Sequence, residues 1–489
     1  MTEIRKIILV LDDREPTSDE IRSLVGARRF GDIMLRRRLL SEHFRSTLPA
    51  WAQDGLVHVR TDEDLGILRA RLETGEEDCA AFIVAGRAGF EDPERLKQLV
   101  ERLPYAEDDF TDRPYKPLLV FIRNAHRLIE WWAALEAAPL HTWTQSWHDS
   151  LRVQSVRPLD LSRIRDFLSF ACGATETRHF NRVDIDTYYY TKKSTDKRKI
   201  LSEYSFYELV PESMRPWLIE PFDYTDHGDS ASYKMLRYYL ADVALQWVHG
   251  AFDAETFEVF VDRLLFFVDR RPRKPCSREQ SAAIASDLFA DKVRSRVAQF
   301  LALDEGKRIN RLVESANPAL ELNLQVERYL RLFQLREKDF AGSELVVGHG
   351  DPCFSNILYD QQRYLLKLVD PKGAASEDAL WTHPLYDLCK ISHSVLGDYD
   401  FINSGLYSVS LNDGNDLALQ MRHTNHDMLK LLFRSRLKAQ GHDENLVRLG
   451  EASLFLSMLP LHIDYPNKVI AFMIKAKHIL DEVEHAPTQ

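Results

Sequence analysis

The stretch HGDPCFSNILYD, residues 349–360, places a His, two Asp, an Asn and a Ser among apolar runs. The apolar residues predict two strands, with His349 to Ser355 in the loop between them. A second apolar run, YLLKLV, leads into Asp370, and YDQQRY between the runs is typical of a hairpin turn. Because strands joined by a turn are neighbours, the sequence predicts Asn356 and Asp370 at one edge of a small sheet.

Side chains of these types at one sheet edge suit phosphate chemistry with a divalent cation. Mg²⁺ prefers hard oxygen ligands and is usually held by one or two protein groups together with substrate phosphates. We therefore predict that Asn356 and Asp370 are Mg²⁺ ligands. Asp351, on the same loop, would accept or orient the proton of an attacking hydroxyl, because phosphoryl transfer depends on positioning and charge stabilisation more than on covalent chemistry.

The motif His349-Gly-Asp351, followed by Asn356 and a strand ending in Asp370, resembles the catalytic and metal-binding motifs of the aminoglycoside phosphotransferase and choline kinase-like families. The longer string HGDPCFSNILYD…KLVDPKG…YDLCKISHSVLGDYDFIN is similar to phosphotransferases of bacterial capsule and surface-polysaccharide loci. The resemblance covers roughly residues 160–489. It implies a small-molecule relative of the protein kinases that uses ATP and Mg²⁺.

The resemblance also implies a strand lysine on the ATP phosphates and a helix glutamate that holds it. The strand-like run TYYYTKKS contains Lys192 and Lys193, and Glu203 follows in the helical run KRKILSEYSFYE. Strand alternation turns only one of the two lysines inward. We favour Lys192, and Lys193 stays open as the alternative because the sequence does not identify the inward face.

The resemblance places further nucleotide contacts before and after this helix in the sequence. The hairpin GATETRHFNRV, residues 173–183, would cover the phosphates with backbone N–H groups and with Thr175 or Thr177 as donors. The run YKMLRYYL would be the hinge that presents backbone groups to adenine near Leu236 and Tyr238.

Two more residues belong to the catalytic loop and its support. His349 would bond the loop backbone and hold Asp351 in place, since the phosphoryl-transfer template already has its base. Asp387, in HPLYDLCKISHSV, matches the acidic position in the family's helix after the metal loop and would brace the catalytic loop. Cys353 is predicted to be a small filler, as most free cysteines are.

The elements that must position these residues begin near residue 156. Helical and strand-like segments alternate up to about 240, and beyond 241 almost every stretch is helical except the β-rich run at 344–373. The basic run RRPRKP, residues 270–275, is predicted to be a solvated loop. We predict a two-lobed α+β protein-kinase-like domain, with a small β-rich N-lobe at 156–240 and a mainly helical C-lobe at 241–489.

Residues 1–155 have a different pattern. The apolar runs KIILVL, LVHVR, AAFIVAG and PLLVFI, each followed by a helical segment, predict an α/β layer domain with a largely parallel sheet. The phosphate-binding fingerprints GxGxxG and GxxxxGK[ST] are absent. Asp12 and Asp13, directly after a strand, are either metal ligands or residues of a solvated turn in which Asp caps backbone groups, the commoner use of Asp. A degenerate glycosyl- or nucleotidyltransferase-like layer is one interpretation, and the role of this domain stays open.

Composition narrows the class of protein. The chain has 489 residues, more than one hydrophobic core supports, with 45% hydrophobic and 28% charged residues, as in folded globular proteins. A net charge of −11 argues against broad binding to nucleic acids or anionic membranes. Five scattered cysteines without a CxxC pair fit a reducing cytoplasm. No run suggests a signal peptide or a transmembrane segment, so we predict a cytoplasmic location.

Together these observations predict an ATP- and Mg²⁺-dependent phosphotransferase acting on a hydroxyl of a sugar, polyol or amino alcohol. A link to surface-polysaccharide biosynthesis is implied by the resemblance alone. The alternatives are a pseudokinase or nucleotide-binding scaffold, and a kinase-fold enzyme that modifies a protein or transfers AMP. The sequence identifies neither the acceptor nor the oligomeric state.

Overall fold

The computed structural model of the protein describes residues 6–73, 79–113, 116–130, 132–137, 152–153, 156–172, 181–412, 416–422 and 426–486. The chain forms two compact units, Met1–Glu176 and Thr177–Gln489. Among the described residues, no helix is both long enough and apolar enough to cross a membrane.

The first unit is built around a sheet with helices on both faces, and two further strand pairs lie outside that sheet. Its strands are β1 Lys6–Asp12, β2 Met34–Leu35, β3 Arg38–Leu39, β4 Val57–Val59, β5 Cys79–Ala85, β6 Ala88–Gly89, β7 Phe110–Thr111, β8 Leu119–Ile122, β9 Arg152–Val153 and β10 Leu159–Asp160. The pairs outside the sheet are β2 with β3 and β6 with β10. Its helices are α1 Asp19–Val25, α2 Leu40–Thr47, α3 Ala50–Gln53, α4 Asp62–Glu73, α5 Pro93–Arg102, α6 Arg127–Glu130, α7 Trp132–Ala137 and α8 Ile164–Cys172. One face of the sheet packs on α4 and α6, and the other packs on α2 and α5.

The sheet is mixed, which corrects the predicted largely parallel arrangement. Its strand order is β4-β1-β5-β8-β7-β9, and β4, β1 and β5 are parallel to one another. β8 is antiparallel to both neighbours, β5 and β7. The connection from β7 to β8, residues 112–118, is too short for the crossover that a parallel pair requires, so the two strands form a hairpin.

The first unit extends beyond the predicted boundary near residue 155. β10 pairs antiparallel with β6, and α8 follows β10 directly. Phe167 and Leu168 on α8 are buried. Because these contacts join residues 159–172 to the first unit, the two compact units divide at Glu176 and Thr177, and the segment predicted to begin the N-lobe lies in the first unit.

The second unit begins with a four-stranded antiparallel sheet and one helix. These elements are β11 Asn181–Ile185, β12 Tyr189–Ser194, α9 Lys197–Leu209, β13 Pro221–Asp226 and β14 Ala231–Leu236, and the strand order is β11-β12-β14-β13. Asp196 starts α9 by accepting a hydrogen bond from the backbone N of Lys199. Ile200 on the helix packs with Tyr233 and Met235 on β14 in a small apolar core.

The remainder of the second unit is mainly helical. Its helices are α10 Val243–Val248, α11 Ala254–Arg270, α12 Arg278–Ala285, α13 Lys292–Ala302, α14 Asp304–Ala316, α15 Leu322–Leu335, α16 Glu337–Phe340, α17 Leu385–Val395, α18 Tyr399–Asn403, α19 Asp427–Ala439, α20 Glu444–Met458 and α21 Pro466–His485. Its strands are β15 Arg273–Pro275, β16 Glu344–Val347, β17 Ile357–Asp360, β18 Leu365–Leu368, β19 Trp381–Thr382, β20 Tyr407–Leu411 and β21 Leu417–Met421. One large apolar core joins these helices to the hairpin of β17 and β18.

Three strand pairings involve strands outside the β-rich run predicted at 344–373. β15 and β19 both pair with β16, and β20 pairs with β21 in a second hairpin. The strands β15 and β20 are short and partly exposed, so they lack the continuous apolar run on which the prediction of buried strands depended.

Candidate active site

The loop between β16 and β17, residues 348–356 and here named the HGD loop, is held by α17 and by the core. The carboxylate of Asp387 on α17 accepts hydrogen bonds from the backbone N of His349 at 3.0 Å and of Gly350 at 2.8 Å. The Phe354 ring is buried against Trp247. Phe354, in the middle of the motif, therefore anchors the loop in the core.

Asp387 is neutralised by a residue that the sequence did not single out. Arg271 is buried, and its Nη1 lies 2.8 Å from Asp387 Oδ2. The basic run 270–275 is therefore not the solvated loop that was predicted: it contains a buried cation and a strand, β15, that pairs with β16. A buried carboxylate needs a charged or hydrogen-bonding partner, and Arg271 supplies it from a distant part of the chain.

Asp351 forms an ion pair with Lys390 of α17. The distance from Lys390 Nζ to Asp351 Oδ1 is 2.9 Å, with the lysine side chain 14% exposed and the aspartate side chain 41% exposed. Burial acts to raise the pKa of Asp351, but the Lys390 ammonium outweighs it and holds that pKa below the ordinary value. Asp351 is therefore a carboxylate at neutral pH and can accept a hydrogen bond from a hydroxyl group.

His349 is fully buried beside Asp351. Its Nδ1 accepts a weak hydrogen bond from the backbone N of Asp351 at 3.4 Å. Burial lowers the pKa of the imidazole, although Asp387 and Asp351 act to raise it. A neutral ring that accepts a backbone hydrogen bond fits a residue that shapes the loop.

Asn356 and Asp370 lie side by side on the hairpin. The backbone N of Val369 donates to the carbonyl of Asn356 at 3.0 Å, which brings the start of β17 next to the residue before Asp370. The Asn356 amide nitrogen donates to the carbonyl of Asp351 at 2.9 Å. Because the nitrogen makes this bond, the amide oxygen is the atom that can bind a cation. Asp370 has a φ of 55°, a left-handed conformation that is strained for a residue with a side chain.

The donor set of this edge fits Mg²⁺ held partly by a ligand. In the described part of the chain, no group of three or more His, Cys, Asp or Glu side chains is arranged to hold a metal ion. One carboxylate and one amide oxygen are too few for a metal site made of protein groups alone. They match the one or two protein ligands with which Mg²⁺ is held when phosphates supply the rest.

Lys192 is the inward-facing lysine of the pair on β12. It is buried, and its Nζ lies 2.8 Å from Glu203 Oε2 and 3.0 Å from Asp370 Oδ1. Tyr233 Oη donates to the same Glu203 carboxylate at 3.1 Å. Burial opposes the charge of Lys192, but Asp370 and Glu203 outweigh it and raise the pKa of the ammonium. Of the two lysines, Lys192 therefore faces inward, and its contact with phosphate stays a prediction.

The segment after Asp370 contacts the helix that carries Glu203. The backbone N of Ala374 donates to the carbonyl of Ser202 at 2.9 Å. Gly373 has a φ of +86°, and a Cβ there would lie 2.7 Å from Ser202 C and 2.8 Å from Glu203 N. Glycine therefore allows this close approach between the hairpin end and α9.

The remaining predicted nucleotide contacts divide into two groups. Leu236 is the last residue of β14 and is exposed, and Tyr238 follows it in a segment without regular secondary structure. The chain thus leaves the sheet at the place predicted for a hinge. Thr175 and Thr177 lie outside the described residues.

Asp12 and Asp13 in the first unit match one part of the second interpretation, because their carboxylates accept hydrogen bonds from backbone N–H groups. Both side chains are buried, which excludes a solvated turn. Asp12 pairs with Arg14 at 2.8 Å, and Asp13 accepts a hydrogen bond from Gly31 N at 2.9 Å and contacts His58 Nε2 at 3.2 Å. These carboxylates are engaged with the protein's own donors.

Sequence reasoning missed Lys390 and Arg271. Lys390 follows Asp387 by three residues, a spacing that places both on one face of a helix, and this spacing was the available signal. Arg271 had no local signal, because its contact with Asp387 joins residues 116 positions apart.

No protein-family model matches the sequence, and no curated protein matches it. Among solved structures, the chain is similar to aminoglycoside phosphotransferase APH(4)-Ia. The apo form of a thermostable mutant has a TM-score of 0.39 at 11% identity, covering 66% of this chain and 100% of that chain. A ternary complex of another thermostable mutant with AMP-PNP and hygromycin B has a TM-score of 0.40 at 11% identity, covering 66% and 99%. Because these TM-scores are low, function is inferred from the contacts within this chain.

Proposed function

We propose that the chain is an ATP- and Mg²⁺-dependent phosphotransferase that moves the γ-phosphoryl group of ATP to a hydroxyl group of a small molecule. The observation that carries the proposal is the direct contact of Lys192 with both Glu203 and Asp370. These side chains come from a strand, a helix and the end of a hairpin. Lys192 and Glu203 are buried, and burying charged groups is seldom a source of stability, whereas a triphosphate with its metal requires a fixed cation next to a metal ligand.

The proposed nucleotide site uses both parts of the second unit. Lys192 binds phosphate oxygens, and Glu203 fixes the direction of its side chain. Asn356 and Asp370 hold Mg²⁺, which when bound neutralises charge on the phosphates. The backbone near Leu236 and Tyr238, and Thr175 or Thr177, keep their predicted roles at adenine and at the phosphates.

The transfer step uses the carboxylate of Asp351. The acceptor hydroxyl donates a hydrogen bond to Asp351, which directs its oxygen towards the γ-phosphorus. A bond forms between the acceptor oxygen and phosphorus, the bond from phosphorus to the oxygen bridging the β- and γ-phosphates breaks, and ADP leaves. The hydroxyl proton passes to Asp351. The low pKa of Asp351 makes it an orienting group early in the reaction, with proton transfer late.

The experiment that tests this function has two measurements. The first is binding of ATP with and without Mg²⁺ by calorimetry, and the second is the mass of products formed from ATP with a panel of sugars, polyols and amino alcohols. A product heavier by one phosphate supports the proposal. Surface-polysaccharide precursors belong in the panel because of the motif resemblance to phosphotransferases of those loci.

Two substitutions separate the proposed roles. Asp351→Asn should lower kcat by about 10²- to 10⁴-fold and leave Mg²⁺-ATP binding intact, because it removes the proton acceptor. Asp370→Ala should weaken Mg²⁺-ATP binding. Asp360→Asn, at the other end of β17, is the matched control and should change neither quantity. Near-normal turnover by Asp351→Asn would show that the role assignment is wrong.

The alternative functions predict different outcomes. A pseudokinase or scaffold would bind nucleotide without forming a product, and absence of Mg²⁺-dependent ATP binding would refute the kinase proposal. A product heavier by AMP would indicate nucleotidyl transfer, and phosphate found only on added protein would indicate a protein acceptor.

A further inference from the structure

We propose that Lys390 is a positioning residue for phosphoryl transfer, which holds the Asp351 carboxylate in the orientation that receives the acceptor hydroxyl. The inference rests on the proposed function, since it assigns Lys390 to the same reaction. It goes beyond that function because neither the motif nor the nucleotide site requires a lysine on α17.

The first support is that one face of α17 binds successive residues of the HGD loop. Asp387, Lys390 and Ser394 are spaced by three and four residues, which places them in line along one face of a helix. Their partners are His349 and Gly350 backbone N for Asp387, the Asp351 side chain for Lys390, and Phe354 backbone N for Ser394 Oγ at 3.0 Å. Asp387 and Ser394 fix the loop backbone, and Lys390 contacts the side chain proposed to meet the acceptor.

The second support is the burial of Lys390. Its side chain is 14% exposed, and an ammonium group at that depth loses much of its hydration. An ion pair with an aspartate that is 41% exposed adds little to stability because solvent screens it, so stability alone does not account for a lysine at this depth. A fixed orientation of Asp351 does account for it.

The third support is that Lys390 carries the positive charge next to Asp351. The imidazoles of His349 and His393 also lie near this carboxylate, and burial lowers the pKa of both. Cys353, Cys389, Tyr386 and Tyr399 also lie near Lys390, and a thiol or phenol group carries no positive charge in either protonation state. Removing Lys390 would therefore leave Asp351 with none of these side chains as a cationic contact.

The test compares Lys390→Met and Lys390→Arg with the wild-type protein, in the full chain, using ATP and the acceptor found in the product screen. Lys390→Met should lower kcat by about 100-fold, the effect of displacing a reacting group by roughly 1 Å, with an unchanged Kd for Mg²⁺-ATP. Lys390→Arg keeps a cation and should recover part of kcat. A purely structural role would lower binding and turnover together and would not distinguish Arg from Met.

The double variant Asp351→Asn with Lys390→Met shows whether Lys390 acts through Asp351. If it does, the double variant should have the kcat of Asp351→Asn alone, because the group that Lys390 positions is already absent. Multiplied losses would overturn the positioning role and would indicate that Lys390 contacts the substrate itself. A kcat for Lys390→Met equal to that of the wild type would also overturn it.

Lys475→Met is the matched control. Lys475 is likewise 14% exposed and pairs with an aspartate, Asp398, at 2.6 Å, but it lies on α21. It should keep the wild-type kcat and Kd. An equal loss of kcat in Lys475→Met would overturn the inference by showing a general effect of removing a mostly buried lysine.

Unfolding measurements keep the inference testable if a variant is unstable. Asp351→Asn leaves the Lys390 ammonium without its partner, so adding Lys390→Met should raise the Tm of Asp351→Asn. Additive losses of Tm would overturn the ion pair on which the inference depends. A wild-type protein that transfers no phosphoryl group would overturn the proposed function and this role together, whereas an active wild type with multiplied losses would overturn the role of Lys390 alone.

Discussion

Lys192 and Lys193 are adjacent in sequence and differ in what they contact. Lys192 is buried between Glu203 and Asp370, whereas the side chain of Lys193 is partly exposed on the other side of β12. We expect Lys192→Met to abolish measurable Mg²⁺-ATP binding, because it removes the cation proposed for the phosphates. Lys193→Met is the control on the same strand and should bind with wild-type affinity, as calorimetry would measure. Equal effects of the two substitutions would refute the assignment of the inward lysine.

Asp400 on α18 should make the stability of the second unit depend on pH. Burial raises the pKa of its carboxyl to about 7, and Asp242 nearby adds to the effect. The folded state therefore keeps a proton on Asp400 between the ordinary pKa and pH 7, while the unfolded state releases it. The contribution of Asp400 to the free energy of unfolding is greatest below the ordinary pKa. It falls as pH rises towards 7, by about 1.4 kcal/mol per pH unit.

Asp400→Asn removes this dependence and provides the measurement. The difference in unfolding free energy between the variant and the wild type should grow in favour of the variant from pH 5 to 7 and then level off. Asp398→Asn is the control, because the pKa of Asp398 shifts in the opposite direction: Lys475 and Lys430 outweigh burial and lower it. Its difference from the wild type should be constant over the same pH range. Parallel pH profiles for Asp400→Asn and the wild type would contradict the shift.

Contact between the hairpin end and α9 depends on a glycine. Gly373 has a positive φ, and the backbone of Ser202 and Glu203 occupies the place of a Cβ. We expect Gly373→Ala to shift α9, weaken the contact of Glu203 with Lys192 and lower affinity for Mg²⁺-ATP. Gly228 in the turn between β13 and β14 also has a positive φ, +89°, with no atom within 4 Å of a Cβ.

Gly228→Ala is therefore the control for backbone strain without a clash. Both substitutions should lower Tm, because a left-handed conformation costs a residue with a side chain roughly 1–2 kcal/mol. Only Gly373→Ala should also lower nucleotide affinity. Wild-type affinity in Gly373→Ala would show that the position of α9 does not depend on this contact.

The extent of the two compact units predicts how the chain can be divided. Of the residues predicted for the nucleotide and catalytic site, all but Thr175 belong to Thr177–Gln489, and the two apolar cores described for this unit consist of buried residues between Ile200 and Leu480. We expect a fragment of residues 177–489 to fold and to bind Mg²⁺-ATP as the full chain does. A fragment of residues 156–489 would carry α8 without β6, exposing Phe167 and Leu168, and should aggregate more readily.

Unfolding and nucleotide binding of the two fragments would test this division. A fragment of residues 156–489 that is more stable and more soluble than residues 177–489 would restore the boundary predicted from sequence near 155. Loss of nucleotide binding in residues 177–489 alone would show that the first unit or the residues at 173–176 contribute to the site.

Local patterns in the chain were sufficient for the main elements of the candidate site. Alternating apolar residues and turn residues within the run 344–373 predict the hairpin of β17 and β18, and the structure has it there. The same reasoning places Asp351 and Asn356 in a loop and Asp370 after a strand. Such predictions succeed because turn chemistry and strand alternation depend on residues close together in the chain.

Packing between distant residues was required for the rest. The way in which strands and helices meet decides which lysine of β12 faces inward. It also decides the pairing of Lys390 with Asp351 and the pairing of Arg271 with Asp387. The antiparallel direction of β8 likewise depends on the length of a connection and the position of neighbouring strands. A charge that is removed from water needs a partner of opposite charge or a hydrogen bond. Where that partner is distant in sequence, only the folded chain brings the two together, and the local sequence does not identify it.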